Sequence, residues 1–247
     1  MLRAPAWLTR GEADLPSGTD WLTEAERGYA ERQRFRKRRI EFLIARFTAK
    51  SAIAGLLGRP AEIAELARIE IRHEPTGAPY LCVDGQRPPL SMSLTDRAGW
   101  AVCLLLEGTA RVGCDLELVE PRSAGFVADW FTPAEREYVA ATGQTDLVAN
   151  LIWSAKESAL KVLRTGLRRD TRSVEVTVAA PGADGWGELT VLSVDGGRLA
   201  GWWRREGRFL LTVAIATAGP PPVALDDPGI LATATPRHSW LDPPLSR

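Results

Sequence analysis

The 247-residue chain has no net charge, because 31 lysines and arginines are balanced by 31 aspartates and glutamates. It therefore lacks the overall field that steers proteins onto nucleic acid or an anionic membrane, and any site for a polyanion must be local. Its apolar runs, such as Ala101 to Leu106, are far shorter than the roughly 20 residues that cross a bilayer. We expect a soluble protein that binds neither nucleic acid nor membranes.

Cysteine is also scarce. The three cysteines, Cys82, Cys103 and Cys114, are odd in number, have no CxxC spacing and lie in apolar segments. Cysteine in such segments behaves as a small hydrophobic residue, so we expect no disulfide and no zinc site. The N-terminal stretch is interrupted by Arg3 and Arg10 and lacks the continuous apolar segment of a secretory signal. The expected location is the cytoplasm.

Two long segments, residues 24–57 and 146–164, have apolar residues at helical spacing. The first follows a capping box of Thr23 and Glu26 and is broken in its basic stretch. Shorter helices are predicted over residues 61–69 and after the capping box of Thr132 and Glu135. Alternating apolar segments predict three sheet strands within residues 90–118 and four within residues 174–216. Each half of the chain therefore offers a helical segment followed by strands.

This pattern predicts an α+β fold of two similar halves, residues 1–118 and 119–218, although no sequence repeat appears at a fixed period. A proline-rich segment, residues 219–247, follows. Its composition favours extended backbone, so we expect a tail or a strap along the surface. Because the two halves already form one unit, a monomer is expected.

The segment from Val112 to Leu118 offers the first candidate site. Its strand period of two places the carboxylates of Asp115 and Glu117 on one face and Cys114 and Leu116 on the other. Two neighbouring carboxylates repel each other unless a cation lies between them or one of them is protonated, and hard oxygen ligands suit Mg²⁺. The alternative is the polar face of a half-buried strand.

The predicted helix around residue 157 offers the second candidate. Glu157 and Lys161 are spaced i,i+4 and share a face, whereas the adjacent Lys156 points elsewhere. Alone, they would be an ordinary surface pair. Together with Asp115 and Glu117 they could hold a metal-bound diphosphate, with carboxylates on the metal and ammonium groups on the phosphate. The combination suggests phosphoryl chemistry.

A basic block precedes both candidates and can bind phosphate or form a solvated helix face. It consists of Arg32, Arg34, Arg36, Lys37, Arg38 and Arg39. It has no interleaved aromatic residues and no nucleic-acid fold signature. Arg46 and Lys50, spaced i,i+4 among apolar neighbours, are better ligand candidates.

Three stretches resemble, in order and spacing, the signatures of the Sfp-type 4′-phosphopantetheinyl transferases. They are Val-Gly-Cys-Asp-Leu-Glu at 112–117, Trp-Phe-Thr-Pro-Ala-Glu at 130–135, and Trp-Ser-Ala-Lys-Glu-Ser-Ala-Leu-Lys-Val-Leu at 153–163 with Gly166-Leu167 after it. The resemblance runs from about residue 24 to residue 216. It implies two halves related by a pseudo-twofold axis, with coenzyme A and Mg²⁺ in the cleft between them.

The family transfers the phosphopantetheine arm of coenzyme A to a serine of an acyl or peptidyl carrier protein. By motif, the resemblance implies that Asp115, Glu117 and Glu157 are the metal ligands. Glu157 and Lys161 are the implied catalytic residues: Glu157 or a metal-bound water accepts the serine proton, and Lys161 lies at the diphosphate. The implied coenzyme contacts are Arg46, Lys50, Thr95, Asp96, Lys156 and Lys161.

Two positions depart from the family pattern. Thr95-Asp96 stands in place of a Ser-His pair, and Gly77-Ala78-Pro79 in place of a Gly-cation-Pro turn. By the family pattern, both changes remove positive charge near the 3′-phosphate of coenzyme A. Arg97 or the basic block could supply the lost charge. Three alternatives follow: a transferase with an altered 3′-phosphate pocket, a transferase-like enzyme for a ligand without that phosphate or for another reaction, and a carrier-binding homologue without activity.

Overall fold

The computed structural model describes residues 4–237, so residues 1–3 and the end of the proline-rich segment, residues 238–247, lie outside the described residues. Its described part has a mixed α+β fold, which agrees with the predicted class. The α-helices are α1 (Glu24–Arg32), α2 (Arg36–Leu56), α3 (Ile63–Leu66), α4 (Ala124–Trp130), α5 (Pro133–Ala141) and α6 (Thr145–Leu163). Within residues 4–237, no helix has the length and apolar character needed to span a membrane.

Eleven strands complete the described part. They are β1 (Ala6–Gly11), β2 (Ile69–His73), β3 (Pro79–Val83), β4 (Leu90–Arg97), β5 (Trp100–Glu107), β6 (Val112–Leu118), β7 (Val174–Val178), β8 (Gly187–Ser193), β9 (Arg198–Glu206), β10 (Phe209–Ile215) and β11 (Val223–Ala224). The first sheet has the order β11-β1-β5-β4, the second has the order β6-β10-β9-β8-β7, and β2 and β3 form a separate hairpin. Neighbouring strands are antiparallel except for β1 and β11.

Two of the helices begin at capping boxes that the sequence predicts, at Thr23 for α1 and at Thr132 for α5. The predicted break in the first long helix falls between α1 and α2, at residues 33–35. The predicted helix over residues 61–69 is shorter, because Ile69 is fully buried in β2 and pairs with Val83 of β3.

Three apolar clusters hold the layers together. One packs α2 on the first sheet and includes Ile53 of α2 and Cys103 of β5. A second packs α6 on one face of the second sheet and includes Leu160 of α6 and Leu210 of β10. The third joins the remaining faces of the two sheets. Cys114, Leu116 and Leu118 of β6 belong to this third cluster, so Asp115 and Glu117 face α6 instead.

One strand pairs differently from the expected arrangement. The sequence groups β6 with the first half and its two preceding strands, but β6 pairs with β10 in the second sheet. On its other side β6 meets β4 through side chains: the hydroxyls of Ser93 and Thr95 accept hydrogen bonds from the backbone N–H groups of Cys114 and Leu116, at 3.0 and 3.2 Å. Threonine and serine hydroxyls therefore take the place of a sheet ladder where the two sheets meet.

The proline-rich segment, as far as residue 237, lies against both sheets. Val223 donates to the Pro5 carbonyl at 2.8 Å and Leu225 to the Trp7 carbonyl at 2.9 Å, which adds β11 to the first sheet. Farther along, Leu231 is completely buried in the cluster between the two sheets. The segment therefore contributes to the core as well as covering a sheet edge.

This burial leads to a stability prediction. Leu231→Ala should lower the free energy of unfolding by about 2 kcal/mol, because the buried leucine side chain leaves a cavity between the sheets. Chemical denaturation of the full chain measures the change. Val223→Ala is the control, since its side chain is 54% exposed, and it should change stability by less than about 0.5 kcal/mol. Equal effects for both variants would contradict the role of the segment in the core.

Candidate active site

A cavity of about 720 Å³ lies where α1, α2, β4 and the β2–β3 hairpin meet α6 and the start of β6. This volume is typical of sites for small molecules and cofactors. Four of the predicted site residues line it: Arg46, Thr95, Asp96 and Lys161. The predicted metal ligands are not part of the lining but are joined to it through Thr95 and Lys161, which both contact Asp115.

Asp115 is a buried carboxylate that accepts hydrogen bonds from three side chains. Ser154 donates to Oδ2 at 2.9 Å, Thr95 donates to Oδ1 at 3.2 Å, and the Lys161 ammonium lies 2.9 Å from Oδ1. These donors come from β4 and from two turns of α6. The carboxylate is therefore fixed in position at the junction of the two sheets.

Gly113 allows α6 to lie this close to β6. A Cβ atom at this position would lie 2.0 Å from the Ser158 carbonyl oxygen, so any side chain would push the helix away from the strand. The close approach brings Lys161 over the strand, where its ammonium also donates to the Cys114 carbonyl at 2.7 Å. The glycine of the Val-Gly-Cys-Asp stretch thus positions the helix that carries Glu157 and Lys161.

Lys161 keeps its positive charge in this environment. Burial acts to lower the pKa of its ammonium, but the Asp115 carboxylate and the nearby Cys114 and Glu157 outweigh that effect and raise it. A lysine with a raised pKa is a permanent cation at neutral pH. It lines the cavity, so its charge is available to an anionic ligand.

Glu117 also faces α6 but already has cationic partners. Arg97 and Arg122 each lie 3.2 Å from its Oε2 atom, and the Trp153 indole donates to Oε1 at 3.1 Å. Burial, together with repulsion from Asp115, raises the pKa of Glu117, and the two arginines oppose that rise. The suggested role of Arg97 as a phosphate contact does not fit this geometry, because its guanidinium lies against Glu117 and Glu120.

Glu157 is the one carboxylate of the three without an ion pair among the described residues. Its Oε1 atom is buried and has no hydrogen-bond partner there. Burial, with repulsion from Asp115 and Glu117, raises the pKa of Glu157 to about 7, although Lys161 opposes the rise. A carboxylate with such a pKa exchanges a proton near neutrality.

Asp115, Glu117 and Glu157 are the predicted ligands of a magnesium ion. Within residues 4–237, no three His, Cys, Asp or Glu side chains are arranged as a ready metal-binding group. Asp115 and Glu157 nevertheless fit a divalent ion: both offer hard oxygen atoms, and Glu157 has a buried oxygen without a partner. Glu117 fits less well, because it would have to exchange Arg97 and Arg122 for the ion.

Lys50 and Lys156 do not line the cavity, so the structure does not place these two predicted coenzyme contacts beside the others. The Lys50 ammonium is buried and binds the Glu26 carboxylate at 2.6 Å and the carbonyls of Trp21 and Leu66. The Lys156 ammonium is buried in the same way against Glu135, at 2.9 Å. Each ammonium is fully occupied by protein groups, which gives both lysines a structural role.

The contacts of Lys156 repeat those of Lys50. Its ammonium donates to the carbonyls of Thr171 and Val174 in addition to Glu135. Glu26 and Glu135 each belong to a capping box and bind the lysine through one carboxylate oxygen. The other oxygen accepts a hydrogen bond from a strand N–H group, that of Ile71 at 3.1 Å for Glu26 and that of Val176 at 2.8 Å for Glu135. We call these two arrangements the Glu26 clamp and the Glu135 clamp.

The predicted residues Arg46 and Asp96 line the cavity in different electrostatic settings. Arg46 lies 3.7 Å from Glu26 and 4.5 Å from the centre of the Phe42 ring. Burial lowers the pKa of its guanidinium, while Glu26 acts in the opposite direction. Burial, with repulsion from Glu41, raises the pKa of Asp96 to about 6, and Lys161 opposes this. Asp96, which stands in place of the family's histidine, therefore does line the cavity as an acidic group.

Sequence analysis missed three cavity residues. His73 is exposed at the end of β2 and also lines the cavity, where partial burial together with Arg46 lowers its pKa. Arg111 and Arg164 line it from the other side. Neither arginine lies in a motif. Arg164 is, however, the residue at which α6 ends, a position where glycine is usual. An arginine at a predicted helix end is the sequence signal that could have pointed to this residue.

The acidic cluster beside a cation-lined cavity fits a protein that binds a phosphate-bearing molecule. Residues 111–192 match the family model of the 4′-phosphopantetheinyl transferase superfamily. The matched segment, about a third of the chain, contains Asp115, Glu117, Glu157 and Lys161, so this part of the chain is similar to that superfamily. A comparison with curated proteins found no match.

Proposed function

We propose that this protein transfers the 4′-phosphopantetheine arm of coenzyme A to a serine of an acyl or peptidyl carrier protein, with Mg²⁺ held by Asp115 and Glu157. The observation that carries the proposal is Glu157, a carboxylate with a pKa near 7 and a buried oxygen without a partner among the described residues. It lies on the helix turn before Lys161, a cavity cation.

The chain's residues divide the reaction between them. Glu157 accepts the proton of the carrier serine as its oxygen forms a bond to the phosphorus next to the pantetheine arm. The bridging bond between this phosphorus and the leaving phosphate breaks, which releases adenosine 3′,5′-bisphosphate. Lys161 offsets the charge that grows on the phosphate oxygens. Asp115 holds the Lys161 ammonium in place at 2.9 Å. When bound, Mg²⁺ would supply further stabilisation of that charge.

An aromatic surface beside Glu117 suits the carrier protein. Phe126 and Trp130 of α4 lie against Trp153 of α6. The centre of the Trp153 ring is 5.1 Å from that of Phe126 and 5.6 Å from that of Trp130. Trp130 is 38% exposed, and Arg122 lies over the Phe126 ring. We propose that this surface receives the apolar-edged, acidic helix next to the carrier serine.

The two clamps support two related halves. The Glu26 clamp joins α1, α2 and β2, and the Glu135 clamp joins α5, α6 and β7. The segments that supply the glutamates also resemble each other, since Trp-x-Thr-x-Ala-Glu-Arg occurs at residues 21–27 and at 130–136. We propose that the fold arose by duplication and that the cavity lies between the two halves.

A second candidate function rests on Asp96. Its carboxyl and that of Glu41 both line the cavity, where they repel an additional phosphate. A ligand without the 3′-phosphate, such as dephospho-coenzyme A, would avoid this repulsion. The same enzyme would then transfer phosphopantetheine from a different donor.

One assay separates these functions. The purified chain is incubated with Mg²⁺, an apo carrier protein and either coenzyme A or dephospho-coenzyme A, and the carrier mass is followed. We expect the carrier to gain the phosphopantetheine mass from coenzyme A. A gain from dephospho-coenzyme A alone would establish the second candidate. Carrier binding without any mass gain would contradict both and favour a homologue without activity.

A further inference from the structure

We propose that Arg111 and Arg164 form an anion site within the cavity that binds the 3′-phosphate of coenzyme A. This inference rests on the proposed function, because it assigns one group of that substrate to two residues. Both arginines line the cavity, on the side formed by α6 and the start of β6. No sequence motif includes either residue.

The two guanidiniums differ from the other cations of the cavity lining. Arg38 pairs with Glu41, Arg46 with Glu26, and Lys161 with Asp115. Arg87 pairs with Glu74. Among the residues that the structure describes, the side chains of Arg111 and Arg164 have neither an ion pair nor a hydrogen bond. They are therefore the cavity cations that no carboxylate of the described residues pairs with, and their charge adds to that of Lys161.

The backbone of Arg164 adds an independent reason. This residue ends α6 in the left-handed conformation, with φ at +59°. Glycine is the usual residue at such a helix end, because a side chain there is strained. Strained residues that persist next to a cavity are commonly kept for function. Arginine here costs stability and places a cation at the cavity wall.

Position along the helix indicates which phosphate is bound. Glu157, Lys161 and Arg164 follow one another along α6, so Arg164 lies roughly 10 Å from Glu157 at 1.5 Å per residue. Arg168 donates to the carbonyls of both Arg164 and Thr76, which places this helix end beside the turn after β2. Arg164 therefore lies beyond Lys161, the cation assigned to the diphosphate, on the side away from the reacting end. The 3′-phosphate is the remaining anionic group.

The test compares two ligands on the full chain by calorimetry. Arg164→Gly should weaken coenzyme A binding about 10-fold, since a charge-assisted hydrogen bond is lost, and dephospho-coenzyme A binding less than about 2-fold. The same variant should melt about 2 °C higher, because glycine removes the backbone strain. Ala98→Gly is the matched control: Ala98 has φ at +52° but does not line this cavity, so its affinity for both ligands should stay unchanged.

The outcomes distinguish this inference from the function on which it rests. If the unmodified chain binds neither ligand, the proposed function fails and the arginine assignment fails with it. If the unmodified chain binds coenzyme A and Arg164→Gly binds it equally well, only the arginine assignment is overturned. Equal weakening of both ligands would likewise overturn the 3′-phosphate assignment and place the arginine at a group that the ligands share.

Discussion

Glu157→Gln is expected to reduce the rate of phosphopantetheine transfer to an apo carrier about 1000-fold. The substitution keeps the size of the side chain but removes the proton acceptor and one metal ligand, and either loss alone has effects of about 100-fold or more. Single-turnover mass spectrometry of the carrier measures the rate. Glu137→Gln, an identical change on the exposed face of α5, is the control and should leave the rate unchanged.

The same variant should alter how stability depends on pH. Because the pKa of Glu157 is raised to about 7 in the folded chain from an ordinary value of 4.5, the folded state favours its neutral form. The stabilising contribution is full below about pH 4.5 and is lost as the pH rises through about 7. Glutamine cannot ionise, so at pH 8 Glu157→Gln should be more stable than the unmodified chain by about 2 kcal/mol.

Magnesium should act in the opposite direction on the unmodified chain. A cation favours the ionised carboxylate, so added Mg²⁺ should raise the melting temperature more at pH 8 than at pH 5.5. The increase should be largely absent in Glu157→Gln. Identical pH profiles and identical responses to Mg²⁺ in both proteins would show that Glu157 is neither the titrating group nor a metal ligand.

The sequence could predict which residues of the acidic site share a face, because these relations depend only on local backbone geometry. Alternation along a strand placed Asp115 and Glu117 on one face, and the third cluster of the core shows that their neighbours do face the opposite way. Helical spacing likewise placed Glu157 and Lys161 together. Such periods follow from backbone geometry alone, without knowledge of what packs against each face.

Long-range partners could not be predicted in this way. Glu135 forms a local bond to the Thr132 N–H, which the capping box predicts, but its partners Lys156 and Val176 lie 21 and 41 residues farther along the chain. The pairing of β6 with β10 is equally remote in sequence. The sequence of a strand does not determine which other strand pairs with it, because the hydrogen bonds between strands involve only the backbone.

The Glu135 clamp gives the largest expected loss of stability. Glu135→Gln should lower the free energy of unfolding by about 3 kcal/mol, because the Lys156 ammonium would stay buried without its counter-charge. The side chains of both residues are almost completely inaccessible to solvent, at 1% and 0% exposed. Burial already lowers the pKa of Lys156, and Glu135 opposes that shift. Denaturant unfolding measures the loss.

Removing both charges tests whether the uncompensated ammonium is the cause. The double variant Glu135→Gln with Lys156→Met should recover most of the lost stability, since replacing both members of a buried pair costs far less than removing one. The Glu26 clamp offers the matched comparison. Glu26→Gln should destabilise by a similar amount but should also change coenzyme affinity, because Glu26 contacts the cavity residue Arg46 at 3.7 Å, whereas Glu135→Gln should leave affinity unchanged. A double variant as unstable as Glu135→Gln would show that packing, and not charge, holds this clamp together.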